Sequence, residues 1–388
     1  TLLSGNVPKV SAIGGEWIVL GLARSERISD NFRNGYYNNL VKFLKANGSE
    51  KMHRTKSTEN SRAIIALSAL GYDATDVAGY NLLLPLCDMN FLDKQGINGS
   101  IWALIAFDTV NYDIPIVDGV KEQTTREKLI QNILSEQTEN GGWLLDDEIG
   151  DIDLTAMAIV ALAPYVQTNS DVKAAVDKAL EFLSKQQRAD GGYMAYGKST
   201  SESCAQVVVA LTSLGIDPNQ DERFIKNGHS VLDKLLSFYQ DGAFKHVMNE
   251  SVGQMATEQA YYALASYYRF LDGKTALYDM SDVKMNTDTP VIGDDNKPTV
   301  PPVDDKEDTT KPPMNSNDTS TEPSTDNKSN VPAVDNSDHP NNAVDNNAKS
   351  PETGNSSVVF IILIFAATGI VLCMVFKRKN RIYNEQVR

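Results

Sequence analysis

The sequence predicts an all-α protein: an α/α toroid of alternating inner and outer helices over residues 1–285, then a disordered tether and one C-terminal transmembrane helix. Three observations carry this. A small residue recurs at Gly21, Ala66, Ala106, Ala161, Ala210 and Ala263, 40 to 55 residues apart, each inside an apolar segment. Amphipathic segments alternate with these. After residue 285 the composition changes abruptly, and a 19-residue apolar run lies near the C-terminus.

The apolar segments are GGEWIVLGLARS (14–25), ENSRAIIALSALGYD (59–73), GSIWALIAFDTVNYD (99–113), DLTAMAIVALAPYV (153–166), SCAQVVVALTSLGID (203–217) and ATEQAYYALASYYR (256–269). They are apolar nearly all round, as helices buried on both faces should be. Between them, helices are expected at 36–46, 79–92, 124–137, 171–187 and 228–239. In 171–187, Val172, Val176, Leu180 and Leu183 form one apolar stripe with the charges opposite. Six buried helices against five half-exposed ones curl into a closed double ring. The chain opens at Thr1 without a signal-like segment, so it is read as N-terminally truncated, with a sixth outer helix expected before Gly14.

Residues 286–349 hold nine prolines, no aromatic residue, and 13 Asp/Glu against 5 Lys. Such a stretch buries too little apolar surface to offset its ordering entropy. At polyproline spacing it reaches at most about 200 Å. SPETG (350–354) follows, then VVFIILIFAATGIVLCMVF, which predicts a transmembrane helix over 357–376, then a basic tail at 377–388. Nineteen helical residues span about 28 Å, close to the hydrocarbon core. The basic residues behind them place the C-terminus in the cytoplasm.

Tether, Pro-Xaa-Thr-Gly motif, apolar span and basic tail, in that order, resemble a Gram-positive cell-wall sorting signal. The resemblance implies an extracellular, wall-anchored protein made as a single-pass membrane precursor. A sortase transpeptidase would cut between Thr353 and Gly354 and join Thr353 to peptidoglycan. Ser350 stands where leucine is usual in that motif.

The turns QTENGGW (137–143), QRADGGY (187–193) and QDGAF (240–244) place glycine after an outer helix and an aromatic residue behind it. They resemble the glutamine–tryptophan repeats of the squalene cyclase and protein prenyltransferase superfamily, over roughly residues 14–270. That resemblance implies the toroid; its function is a separate question.

The net charge of −15, of which −10 falls in residues 1–285, argues against nucleic-acid binding, which needs basic patches. Cys87 and Cys204 read as free buried thiols in preference to a disulfide. His53, His229, His246 and His339 share no ligand-like spacing with the cysteines, so no metal site is expected.

For catalysis, resemblance offers two comparisons. Class II terpene cyclases carry Asp-x-Asp-Asp-Thr-Ala, in which the middle Asp protonates an alkene. Asp151, Asp153, Thr155 and Ala156 match, but Leu154 replaces the last acid. Asp153 is therefore read first as a helix cap, with cyclase-like catalysis as the alternative. Prenyltransferases hold zinc through Asp-x-Cys and a histidine. Glu202 and Cys204 stand at the first pair, but Gln259 stands at the histidine, so the zinc set is incomplete.

For binding, counting back from each repeat's small residue, the fourth position reads Trp17, Arg62, Trp102, Met157, Gln206 and Gln259. Asp153, Glu202 and Tyr262 fall on the same helical side. Aromatic groups beside Arg, Asp, Glu and Gln describe an amphipathic site able to stack and hydrogen-bond a sizeable organic ligand. The sixth position back is short and mostly polar: Gly15, Asn60, Ser100, Thr155, Cys204 and Thr257. The leading expectation is a surface-displayed, non-catalytic binder. A corrinoid or another large planar molecule is a candidate ligand by resemblance to transcobalamin-like carriers, no cofactor being otherwise expected. A structural adhesin is the third reading.

Overall fold

The computed structural model describes residues 8–144, 151–195 and 197–286. The expected tether beyond Asn286, the SPETG motif, the helix over 357–376 and the basic tail lie outside the described residues. Among the described residues no helix is long and apolar enough to cross a membrane.

The described helices are α1 (Glu16–Arg24), α2 (Asp30–Asn47), α3 (Thr58–Leu70), α4 (Met89–Leu92), α5 (Ile97–Asp108), α6 (Arg126–Ser135), α7 (Ile152–Leu162), α8 (Ser170–Gln186), α9 (Ser201–Ser213), α10 (Val231–Ser237) and α11 (Gln254–Leu271). The six apolar segments are α1, α3, α5, α7, α9 and α11. They pack in cyclic order, each on the next, and α11 packs back on α1. Their small residues let the backbones approach: a Cβ added at Gly21 would meet the Tyr262 backbone at 3.5 Å. On α9 every residue from Ser201 to Thr212 is buried, as two-sided packing requires. On α8 the stripe Val172, Val176, Leu180 and Leu183 is buried, and Lys173 and Asp177 are exposed.

The structure corrects two expectations. First, the chain is not purely helical. Short antiparallel pairs β1 (Met194–Ala195) with β2 (Lys198–Ser199) and β3 (Ile225–Lys226) with β4 (His229–Ser230) occur in the connections. A three-stranded sheet of β5 (Tyr239–Gln240), β6 (Ala243–Lys245) and β7 (Val252–Gly253) joins them. Tight turns at Gly197, Gly228 and Gly242, all with positive φ, reverse the chain there. Second, 79–92 is not one helix. Pro85 opens a 3-10 turn over Leu84–Cys87, and Asp88, in extended conformation, accepts from Asn90 N–H to cap the four-residue α4. Proline's missing donor and the new cap break the segment in two.

The glutamine–glycine–aromatic turns tie neighbouring elements together. Gln137 Nε2 donates to the carbonyls of Gly141 and Ala175, and Gln187 Nε2 to those of Gly191 and Phe224, each at 2.8–2.9 Å. Gly191 has φ +82°, and a Cβ there would meet the Ser230 carbonyl oxygen at 2.3 Å, so the turn admits no larger residue. The aromatics Trp143, Tyr193 and Phe244 are wholly buried.

Residues 274–286 run across the C-terminal ends of the apolar helices. Asn286 N–H donates to the Gly71 carbonyl after α3, and Met280 N–H to that of Thr109 after α5. Arg24 at the end of α1 and Arg269 near the end of α11 both hold Asp282, and both bond Thr275 Oγ1 at 2.9 Å. Leu277, Tyr278 and Met280 are buried beneath.

Candidate functional site

The short polar residues at the helix starts have a structural duty. Thr155 Oγ1 accepts from Trp143 N–H at 3.0 Å, and Thr257 Oγ1 from Phe244 N–H at 2.9 Å. Asn60 Oδ1 accepts from Met52 N–H, and Ser100 Oγ from Asn132 on α6. Cys204 sits beside Tyr193 in the same way, its thiol pushed up to about 12 by burial, which makes it an inert structural group. It is a free thiol, as is the buried Cys87. The comparison of Glu202 and Cys204 with a zinc pair therefore has no support in the geometry. Among the described residues no group of three or more His, Cys, Asp or Glu side chains is placed to hold a metal.

One turn further along the same helices, the predicted layer converges. The Trp17 ring lies 5.1 Å from Trp102 and 6.0 Å from Tyr262, centroid to centroid. The Arg62 guanidinium stands 5.9 Å from the Trp17 ring. Gln206 Nε2 donates to Gln259 Oε1 at 3.0 Å and to Tyr262 Oη at 2.6 Å. Tyr278, from the segment crossing the far end, meets Trp102 edge-on at 6.1 Å. Trp102 and Tyr262 are buried; Trp17, Arg62, Met157 and Gln259 are half-buried and form the open side. Packing thus leaves Trp17 as the more available stacking face.

Asp153 is not the cap. Asp151, in extended conformation, caps α7 by accepting from Leu154 N–H at 2.7 Å, and Thr200 caps α9. Asp153 and Glu202 are free of that role. Asp153 Oδ1 is shut off from solvent without a hydrogen-bond partner. Burial raises its carboxyl to about 6 against a hydrogen bond from Ser203, with Asp151 and Glu202 adding repulsion and His246 opposing. Glu202 Oε2 lies 2.8 Å from His246 Nδ1.

A second acidic group gathers at the starts of α1, α3 and α11. Glu16 is 1% exposed; its Oε1 accepts from Ser11 N–H and Tyr36 Oη, while Oε2 has no partner. Burial raises its carboxyl above the usual range. Glu258 accepts from Gly14 N–H at 2.7 Å and is raised to about 7, chiefly by burial. Glu59 accepts from Ser11 Oγ and pairs with Arg62. Arg62 is thereby engaged through Nη2, while its buried Nε has no hydrogen-bond partner.

Trp17, Arg62, Trp102, Gln206, Gln259 and Tyr262 are therefore joined by direct contacts, and Asp153 and Glu202 lie close enough to Tyr262 to raise its hydroxyl, after burial and Tyr278. Sequence reasoning missed His246, Tyr278, Glu16 and Glu258. His246 and Tyr278 come from irregular segments with no periodicity. Glu16 and Glu258 were visible as acids inside otherwise apolar segments, which is an unusual place for them.

No protein-family model matches this chain, and no curated protein matches it.

Proposed function

We propose that residues 1–285 are an α/α toroid of the squalene cyclase and prenyltransferase kind, which binds a sizeable organic ligand at the helix starts. The toroid reading is supported by the cyclic packing of α1, α3, α5, α7, α9 and α11. The observation that carries the binding reading is the convergence of Trp17, Trp102 and Tyr262 with Arg62, Gln206 and Gln259, half of it buried and half open. Fold alone does not select binding over catalysis. The raised Asp153 favours a second reading, a cyclase-like acid. A carboxyl near 6 is, however, far weaker than alkene protonation demands, so the binder stands first.

The test is a ligand screen on the full chain that includes corrinoids, read by tryptophan fluorescence. Trp17→Ala should weaken the binding of any hit by about 1–3 kcal/mol, the scale of a buried aromatic anchor. Melting is followed alongside. A protein that responds to no small molecule, yet still adheres to cells after Trp17→Ala, is an adhesin instead.

The sorting-signal resemblance extends the proposal to location: a sortase joins Thr353 to peptidoglycan and the ring is displayed outside a Gram-positive cell. Thr353→Ala should then leave the protein in the membrane or the medium. Equal amounts of mutant and wild type in muramidase-released wall material would rule this out.

A further inference from the structure

Carboxyl groups outnumber basic groups at this site. Glu16, Glu59, Asp153, Glu202 and Glu258 come from five of the six circularly packed helices, all at or near their starts. Facing them are Arg62, already paired with Glu59, and His246, already against Glu202. Two of these acids cannot be dismissed as caps or internal pairs. Glu16 is 1% exposed, and its Oε2 has no hydrogen-bond donor although Arg62 acts on it electrostatically. Asp153 Oδ1 is likewise without a partner. A buried carboxylate oxygen with no donor costs free energy that some group should recover.

Between the two acidic groups stand aromatic rings. Trp17 links to Arg62 on one side and to Tyr262 on the other; Gln206, bonded to Tyr262, has Glu202 one turn before it on α9, and Asp153 stands at the start of the neighbouring α7. Arg62 over Trp17 shows that the ring face already accepts a cation. Indole faces attract cations through their quadrupole, the more so when water is excluded. Aromatic faces and unanswered carboxylates favour the same charge.

We propose that the ligand of this site is an organic ammonium ion, seated on the half-buried face of Trp17 with its charge answered by Asp153 and Glu202. The proposal rests on the binding reading above and specifies its chemistry. A neutral planar ligand would leave the carboxylates unanswered, whereas an ammonium or quaternary ammonium group answers them and leaves the Arg62–Glu59 pair in place. A quaternary ammonium requires only the ring and the field; a primary amine adds a hydrogen bond to a carboxylate.

The test uses the full chain at pH 7.5 and three probes that share a phenyl ring: benzyltrimethylammonium, benzyl alcohol and benzoate. Tryptophan fluorescence and calorimetry supply the readouts, and benzylamine is a fourth arm that separates primary from quaternary recognition. The cation should bind at least tenfold more tightly than benzyl alcohol, with no saturable benzoate signal. Asp153→Asn should weaken the cation about tenfold and leave benzyl alcohol unchanged, with circular dichroism confirming an intact fold. Benzyl alcohol or benzoate binding as tightly as the cation, with loss in Trp17→Ala, would overturn the charge assignment and leave the binding site standing. Cation binding unaltered by Asp153→Asn and by Glu202→Gln would also overturn it. Silence from all four probes, together with a blank ligand screen, would remove both proposals.

Discussion

Asp153→Asn is expected to stabilise the protein at pH 8, the reverse of what removing a helix cap would do. Burial lifts the native carboxyl from its ordinary 3.8 to about 6. Between those values the native state keeps a proton that the unfolded chain has lost, so the unfolded state binds fewer protons and stability falls as pH rises. The contribution is fully present below about 4 and gone above about 6. A shift of this size corresponds to roughly 3 kcal/mol, and the amide, which cannot ionise, should recover about 1–3 kcal/mol at pH 8. Melting curves between pH 4.5 and 8 should show wild type losing stability with rising pH and the variant flatter. Glu258→Gln should act in the same sense nearer pH 7, where Glu258 titrates. A variant less stable than wild type at pH 8 would mean that Asp153 makes a stabilising contact as an anion.

Arg269→Ala should be among the most damaging single changes. Arg269 is 1% exposed, with Nε on the Thr275 carbonyl at 2.9 Å, Nη1 on the Arg24 carbonyl at 3.1 Å, and Nη2 on Asp282 and Thr275. Arg24 bonds the carbonyls of Leu277, Ala276 and Asp279 and takes the other Asp282 oxygen at 2.8 Å. Burial by itself would raise Asp282, but the hydrogen bonds and charges of the two arginines outweigh it and hold the carboxyl at about 2. Removing Arg269 strands carbonyls and leaves Arg24 facing Asp282 alone, at a cost of about 3–5 kcal/mol. Urea unfolding should show a lower midpoint with an unchanged slope, provided the variant stays two-state. The pH sense here is opposite to that of Asp153: the Asp282 contribution exists above about 4 and fades as pH falls toward 2. A loss under 1 kcal/mol would mean that residues 274–286 are not anchored by this pair.

What could be read from sequence divides along physical lines. The six apolar helices were visible because two-sided burial writes itself as a continuous apolar run with one small residue at the tightest approach. The fourth-position layer followed from the same register, and the contacts of Trp17, Trp102, Tyr262, Gln206 and Gln259 join it. Segment 79–92 failed because apolar spacing outweighed Pro85 and Asp88 in the reading. The choice between Asp151 and Asp153 as cap was not visible locally: it depends on a backbone bridge between Trp143 and Asp151 that extends the chain one residue earlier. The acidity of Asp153 depends likewise on Glu202 and His246, contributed by other repeats.

The crossing segment has a mechanical consequence. The chain continues past Asn286 toward its C-terminus, so any pull from that side reaches the helices first through Asn286, bonded to Gly71 and Leu70, and then through Asp282. Asp282 joins the first helix of the circuit to the last. Tension is therefore borne at the seam where α1 meets α11, by two arginines and a carboxylate, before it reaches the apolar packing. Tyr278, four residues before Asp282, rests on Trp102, so a load that withdraws the segment also disturbs the aromatic cluster. Stretching is thereby coupled to the proposed ligand site through a single tyrosine.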